Sequence, residues 1–387
     1  MPRPANATVA HARMPWATPT VTGCEIGRRL RSEGRDAAPL IVALIPAHNE
    51  EHGITRTIRS LHDQSRPPNL ILVLADNCTD DTAYAAAAAG AFVLPTVGNL
   101  AKKAGALNQG LAAIEPHLRD GDFVICQDAD GELAPDFLHE ALITFSALPL
   151  LGGLSGAVIA RPSRNVVEMA QAIEFARGTR LMSRNNGQVH VLSGAATVFP
   201  ITTLRAVAGG RGRSIPGTAG CYFMEDSLTE DYELTLAIKQ LGFECRSTKR
   251  CRVITDVMPT LRDLRIQRLR WFRGAMESMW LYGWSRLTHR IWLGIAWTFF
   301  VSLLFPLSVL VLTGSWLVFG RSPDFRFLIL FPLFAAEGIV TARRINRRSV
   351  VLAATYVPLW LYDNLMFVLY WRALFQAIQQ SSREWVT

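Results

Sequence analysis

The sequence predicts an α/β chain: a doubly wound domain built on a mainly parallel sheet, followed by a helical, strongly apolar C-terminal part. Three observations carry this expectation. Residues 40–45, 70–75 and 123–127 are short, continuous apolar runs, as in strands buried on both faces. Helical stretches separate them, giving a strand–helix–strand rhythm. Beyond residue 290 that rhythm stops and long apolar stretches take over.

The first strand, LIVALI at 40–45, is ended by Pro46, and Ala47, His48, Asn49 and Glu50 form a polar turn before a helix over 53–64. The second strand, at 70–75, stops at Asp76-Asn77-Cys78-Thr79-Asp80, where Thr79 or Asp80 can cap an Ala-rich helix ending at Gly90. A third strand at 91–94 leads to a helix over 104–114. The fourth, at 123–127, runs into Asp128-Ala129-Asp130-Gly131. Doubly wound sheets bind ligands beyond the carboxyl ends of their strands, and each of these acidic or Asn-rich turns falls at such an end. Residues 150–258 are less regular, with small-residue turns at 193–194, 209–212 and 217–220. They read as the second half of the same domain, which covers 39–258.

Residues 259–290 read as amphipathic interface helices, with Trp271, Trp280 and Trp284 among many arginines. Apolar stretches at 291–319, 325–342 and 350–378 are each expected to span a membrane, giving about three transmembrane helices over 291–378 and a tail at 379–387. The arginine-rich loop at 343–348 is expected on the cytoplasmic side, together with the α/β domain of an integral membrane protein. Glu337 and Asp363 lie inside these spans, as structural groups or along an acceptor path. Residues 1–38 hold no apolar signal-peptide core and read as a flexible or surface-bound arm.

The net charge of +8 is almost wholly arginine: of 40 basic residues only Lys102, Lys103, Lys239 and Lys249 are lysines. The arginines cluster at 262–273 and 343–348, beside apolar stretches, which points to membrane lipid and to no nucleic-acid partner. The cysteines stand singly, with no C-x-x-C pair, so neither a zinc site nor a disulfide framework is expected.

Five constellations can carry chemistry. Asp128 and Asp130 form a D-x-D at a strand end, either a solvated turn or a holder for a hard cation that also binds a diphosphate. Asp76 either belongs to a helix cap or accepts from a base N–H, which would select uracil. Lys103 opens a helix, where ammonium and dipole both favour an anion. Thr229-Glu230-Asp231 precedes another helix: Thr229 can cap it with Asp231 as a first-turn acid, or Asp231 is a general base. Gln267, Arg270 and Trp271, spaced i, i+3, i+4, share a helical face suited to a diphosphate beside a sugar ring.

In this order the pieces resemble family 2 of the glycosyltransferases, in particular the membrane polysaccharide synthases that make cellulose, chitin, hyaluronan and poly-N-acetylglucosamine. The resemblance covers roughly residues 40–285, including Lys103-Ala104-Gly105, Ser193-Gly194 and the QxxRW run from Gln267 to Trp271. It implies a GT-A Rossmann-like catalytic domain, a UDP-sugar donor, and Mn2+ or Mg2+. Ala47 and Glu50 would lie near the uridine, Asp76 would bind uracil, Lys103 the diphosphate, Asp128 the nucleotide and Asp130 the metal. Asp231 would be the base, Glu230 and Trp271 would border a glycan or lipid-linked acceptor, and Gln267 and Arg270 would hold the diphosphate. Such synthases usually carry transmembrane helices before the catalytic domain and more after it. About three spans are few for a polymer channel. Either the chain forms a homo-oligomer, another protein supplies the pore, or few sugars are added.

Overall fold

A computed structural model describes residues 21, 23–32, 38–163, 165–320 and 330–379. The three apolar runs are strands β1 (Ile41–Ala47), β2 (Leu70–Ala75) and β4 (Phe123–Gln127), joined by the short β3 (Phe92–Pro95). They are apolar throughout because helices cover both faces of the sheet. On one face Val42, Leu44, Leu72 and Val124 meet Leu107, Leu111 and Ile114 of α4 (Lys102–Ile114). On the other, Ala43, Ile45, Val73 and Ile125 meet Ile54 and Ile58 of α2 (Ile54–His62) and Phe137 of α5 (Phe137–Ala147).

Strands β3, β2, β1 and β4 are parallel, and the sheet runs on through β7 (Ala196–Pro200), β6 (Leu151–Ala160), β8 (Glu244–Thr255) and β5 (Glu132–Leu133). Strand order reverses between β1 and β4, which opens a crevice beyond their carboxyl ends. The second half is thus more regular than its sequence suggests. β6 is rich in small residues because a Cβ on Gly152, Gly153 or Gly156 would meet Phe243, Leu192 or Phe137 at under 3 Å. Around these strands stand α6 (Val166–Arg184), α7 (Ile201–Gly210) and α8 (Glu230–Gln240). Within the N-terminal arm, α1 (Gly23–Ser32) buries Ile26 and Leu30 against this core, while 1–20, 22 and 33–37 lie outside the described residues.

The amphipathic stretch is one helix, α9 (Leu261–Tyr282), capped by the Thr260 side chain accepting from Asp263 N and ended by Gly283 at φ 62°. After it come α10 (His289–Phe319), α11 (Leu330–Ala342), α12 (Arg347–Thr355) and α13 (Val357–Ile378). Among the described residues no single helix is long and apolar enough to cross a membrane; α12 and α13 pass that test together but meet at 76°. The third expected span is therefore broken. Pro358 has no N–H to continue the helix, and Tyr356 turns the chain at φ 56°. Residues 321–329, part of the second expected span, and the tail 380–387 lie outside the described residues. Leu293, Trp297 and Phe300 of α10 are exposed.

Glu337 and Asp363 have structural partners. Arg177 of α6 meets Glu337 at 3.1 Å and Asp363 at 3.7 Å, and Arg180 also pairs with Glu337. These ion pairs, with an apolar seam of Ile173, Ala353 and Leu359, dock α11–α13 on the α/β domain.

Candidate active site

Beyond the ends of β1, β2 and β4 lies an open cleft of about 1390 Å³. Its loops are tied to each other. Asp76 N donates to Ala47 O at 2.8 Å, His48 Nδ1 donates to Asp76 O at 2.6 Å, and Glu50 N donates to Thr82 Oγ1 at 2.7 Å. Three of the five non-glycine residues with positive φ among the described residues, Asn49, Asn77 and Lys102, line this cleft. Such backbone persists where surrounding structure over-determines it, as at binding sites.

Asp76 is buried, and its Oδ1 accepts from Thr96 Oγ1 (2.7 Å), Asn99 Nδ2 (2.8 Å) and Asn77 Nδ2 (3.0 Å). Among the described residues, every hydrogen bond to its carboxylate falls on that one oxygen. Thr96 and Asn99 carry no motif, and only their approach to Asp76 in space reveals them.

Asp128 and Asp130 follow β4. Asp130 Oδ2 accepts from Thr255 Oγ1 at 3.1 Å, and burial, then the nearby Asp128 charge, pushes its carboxyl up to about 6. Glu50 is raised to about 7 by burial and by Asp130 and Asp128. Carboxylates that repel one another at a strand end suit a cation. Among the described residues no group of three or more His, Cys, Asp or Glu forms a complete metal site. Asp128 and Asp130 by themselves offer one or two carboxylates, a set that would hold a hard divalent cation only with oxygen ligands from elsewhere, such as phosphate groups.

Lys103 stands at the centre, its Nζ 2.7 Å from Asp128 Oδ1 and 2.9 Å from Glu230 Oε1. Burial works against its charge, but Asp128, Glu230 and Asp231 outweigh it and hold the ammonium well above the usual lysine range. Burial likewise pushes Glu230 up, and Lys103 more than reverses this, so Glu230 sits below the usual range. Asp231 goes the other way: burial and then the Glu230 charge raise it to about 6. Its Oδ2 accepts from Gly194 N at 3.2 Å and its Oδ1 from Tyr232 N at 2.7 Å. Thr229 occupies the cap position of α8, but its hydroxyl makes no capping bond.

Ala47, Glu50, Asp76, Lys103, Asp128, Asp130 and Arg270 all line the cleft. Glu230, Asp231 and Gly194 line a smaller pocket that shares Lys103 with it. The QxxRW residues divide. Arg270 lines the main cleft and donates to Leu228 O at 3.1 Å. Gln267 and Trp271 do not line it: Arg268 donates to Gln267 Oε1 at 3.1 Å and covers the Trp271 ring at 4.3 Å. The face of α9 that lines the cleft carries Arg262, Arg265, Ile266, Leu269, Arg270 and Arg273, and Gln267 and Trp271 lie to one side of it, next to Arg268, which is buried and bonded to Glu174 of α6 at 2.8 Å.

The family model described as Glycosyl transferase family group 2 matches residues 123–372, more than half of the chain, and that described as Glycosyl transferase family 2 matches residues 42–200. The chain belongs to glycosyltransferase family 2. This glycosyltransferase is 25% identical over 250 residues to a poly-beta-1,6-N-acetyl-D-glucosamine synthase of Staphylococcus epidermidis, covering 63% of the chain and 56% of that relative. It is 25% identical over 245 residues to the synthase of the same name from Staphylococcus aureus strain COL, covering 62% and 55%. The matches thus span little more than half the length of these relatives. In fold it is similar to a mannosyltransferase from Pyrobaculum calidifontis solved with GDP-mannose and Mn2+, with a TM-score of 0.57 at 17% identity over 92% of this chain and 93% of that one. The mixed α/β domain is accordingly of glycosyltransferase type.

Proposed function

We propose that this family 2 glycosyltransferase has a GT-A catalytic domain over 39–258 and moves a sugar from a UDP-sugar, with inversion, to a hydroxyl of a glycan or lipid-linked acceptor. The observation that carries this reading is the junction at Lys103. One ammonium ties Asp128, on the donor side, to Glu230, beside Asp231.

Donor and acceptor chemistry divide across that junction. Asp76 offers a single free carboxylate oxygen, which suits the one imide N–H of uracil better than the two adjacent donors of guanine. Lys103 and Arg270 bring positive charge to the diphosphate. A divalent cation held by Asp128 and Asp130 would neutralise charge on the departing diphosphate when bound. Asp231, fixed by two backbone N–H groups, takes the proton of the attacking hydroxyl. Attack opposite the leaving group turns an α-linked donor into a β-glycoside. Glu230 borders the acceptor, and Gln267 and Trp271 would reach the substrate by movement of α9. The helices beyond residue 290 associate with membrane lipid, a reading supported by the exposed apolar face of α10, and the catalytic domain lies on the cytoplasmic side.

The test is incubation of the detergent-purified protein with radiolabelled UDP-sugars and GDP-mannose, with Mn2+ or with chelator, followed by sizing of the product. Transfer from one UDP-sugar, lost on chelation and in Asp231→Asn, is expected. Use of GDP-mannose alone would reject the assignment of Asp76 to uracil.

A further inference from the structure

The wall of the cleft facing the carboxylates is made by α9 and α13, and it is basic. Arg262, Arg265, Arg270 and Arg273 lie along one stripe of α9, spaced i, i+3, i+8 and i+11, and Arg372 joins them from α13. Every acidic residue lining the cleft (Glu50, Asp76, Asp128 and Asp130) comes from the strand-end loops instead. We propose that the acceptor carries a phosphate group and that Arg262, Arg265 and Arg372 bind it on this wall.

The inference rests on the glycosyltransfer reading above and specifies its acceptor. Two of the five arginines are engaged within the protein: Arg270 donates to Leu228 O, and Arg273 pairs with Glu277 at 2.7 Å. Arg262, Arg265 and Arg372 are exposed, and no carboxylate partner is recorded for them among the described residues. Arg262 also lies in the first turn of α9, where the helix dipole disfavours a cation, so helix stability does not account for it. Lys103 and Arg270 already bring positive charge to the donor diphosphate. Three further guanidiniums on one wall repel one another and gain nothing from a neutral sugar. A phosphate compensates them, accepting paired N–H donors from each planar fork. Ile266, Leu269 and Leu369 line the cleft between them, so the phosphate can belong to a lipid-linked sugar or to a soluble sugar phosphate.

The experiment uses the full chain in detergent with its donor. The probes are a prenyl-phosphate-linked monosaccharide, the sugar 1-phosphate and the neutral octyl glycoside of the same sugar. Either phosphate probe is expected to have a KM at least tenfold below that of the octyl glycoside; the lower of the two identifies the source. Arg262→Gln, Arg265→Gln and Arg372→Gln should each raise the KM for that probe severalfold, with Arg→Lys variants intermediate. Equilibrium binding of the same probes to Asp231→Asn protein should show the same order without turnover. Equal KM values for phosphate and neutral probes would overturn the proposal. So would arginine variants whose main effect is on the donor KM, since the wall would then serve the diphosphate. Failure of the underlying glycosyltransfer reading looks different: no nucleotide sugar is consumed with any probe.

Discussion

Gly194 donates its backbone N–H to Asp231 Oδ2 at 3.2 Å, and a Cβ on Gly194 would stand 2.8 Å from Lys103 Nζ and 3.3 Å from Asp231 Oδ2. The lack of a side chain here lets backbone, ammonium and carboxylate share one point. Gly194→Ala is expected to displace the Lys103 ammonium and lower kcat about tenfold or more, an effect of about 1.4 kcal/mol, with little change in melting temperature. Wild-type turnover in this variant would show that the Lys103–Asp231 geometry is not needed for the reaction.

Asp231→Asn removes the proposed base and keeps the shape. A fall in kcat of about 10²–10⁴ is expected, with the donor KM little changed. A tenfold rise in donor KM at unchanged kcat would reassign Asp231 to donor binding.

The Asp231 carboxyl is raised to about 6, by burial first and the Glu230 charge second. A base works only when deprotonated, so kcat/KM should climb as pH rises through about 6 and level off above it. The rising limb should vanish from the residual activity of Asp231→Asn. A rate independent of pH across that range would contradict the assignment.

Arg211 and Glu233 form a fully buried bidentate pair, with Nη2 2.8 Å from Oε2, and the Tyr282 hydroxyl at the end of α9 donates to Glu233 at 2.7 Å. Glu233→Ala leaves the guanidinium buried without its counter-ion and should cost about 3–5 kcal/mol of stability. Thermal denaturation checks this; a melting temperature within a degree or two of wild type would mean that water or another acceptor replaces the carboxylate.

Arg268 is a positioning residue: it pairs with Glu174, covers Trp271 and donates to Gln267. In a double-mutant cycle, Arg268→Met and Glu174→Gln should couple by about 0.5–3 kcal/mol in acceptor kcat/KM. Donor KM should move less than acceptor KM. Additive effects would mean that the pair serves stability alone.

Much of the first half was legible because its strands are uninterrupted apolar runs, and the turns after them carry Glu50, Asp76, Asp128 and Asp130. The second half hid its strands for two physical reasons. β6 is built of small residues because Phe243, Ile238, Leu192 and Phe137 occupy the space its side chains would need. β8 alternates charge with Cys245, Ser247, Cys251 and Val253, whose inward faces only a period-two count would have found. Residue types pointed to Asp231 and Lys103, which the structure places side by side at the cleft, but helical spacing did not foretell how the QxxRW residues divide. That division follows from how α9 is rotated against the cleft, with Arg268 on its far side bonded to Glu174, 94 positions away in sequence. The cleft arginines were legible as a cluster, but their sequence neighbours drew them toward lipid.

The basic wall has a practical corollary. Arg372, Leu369 and Gln376 reach the cleft from α13, which packs on α9 through Ala373, Ala377 and an edge-on contact of Tyr370 with Phe272. The greasy C-terminal segment thus walls one side of the cleft. Trimming the chain after the last strand to gain a tractable fragment would leave that cleft open on one side.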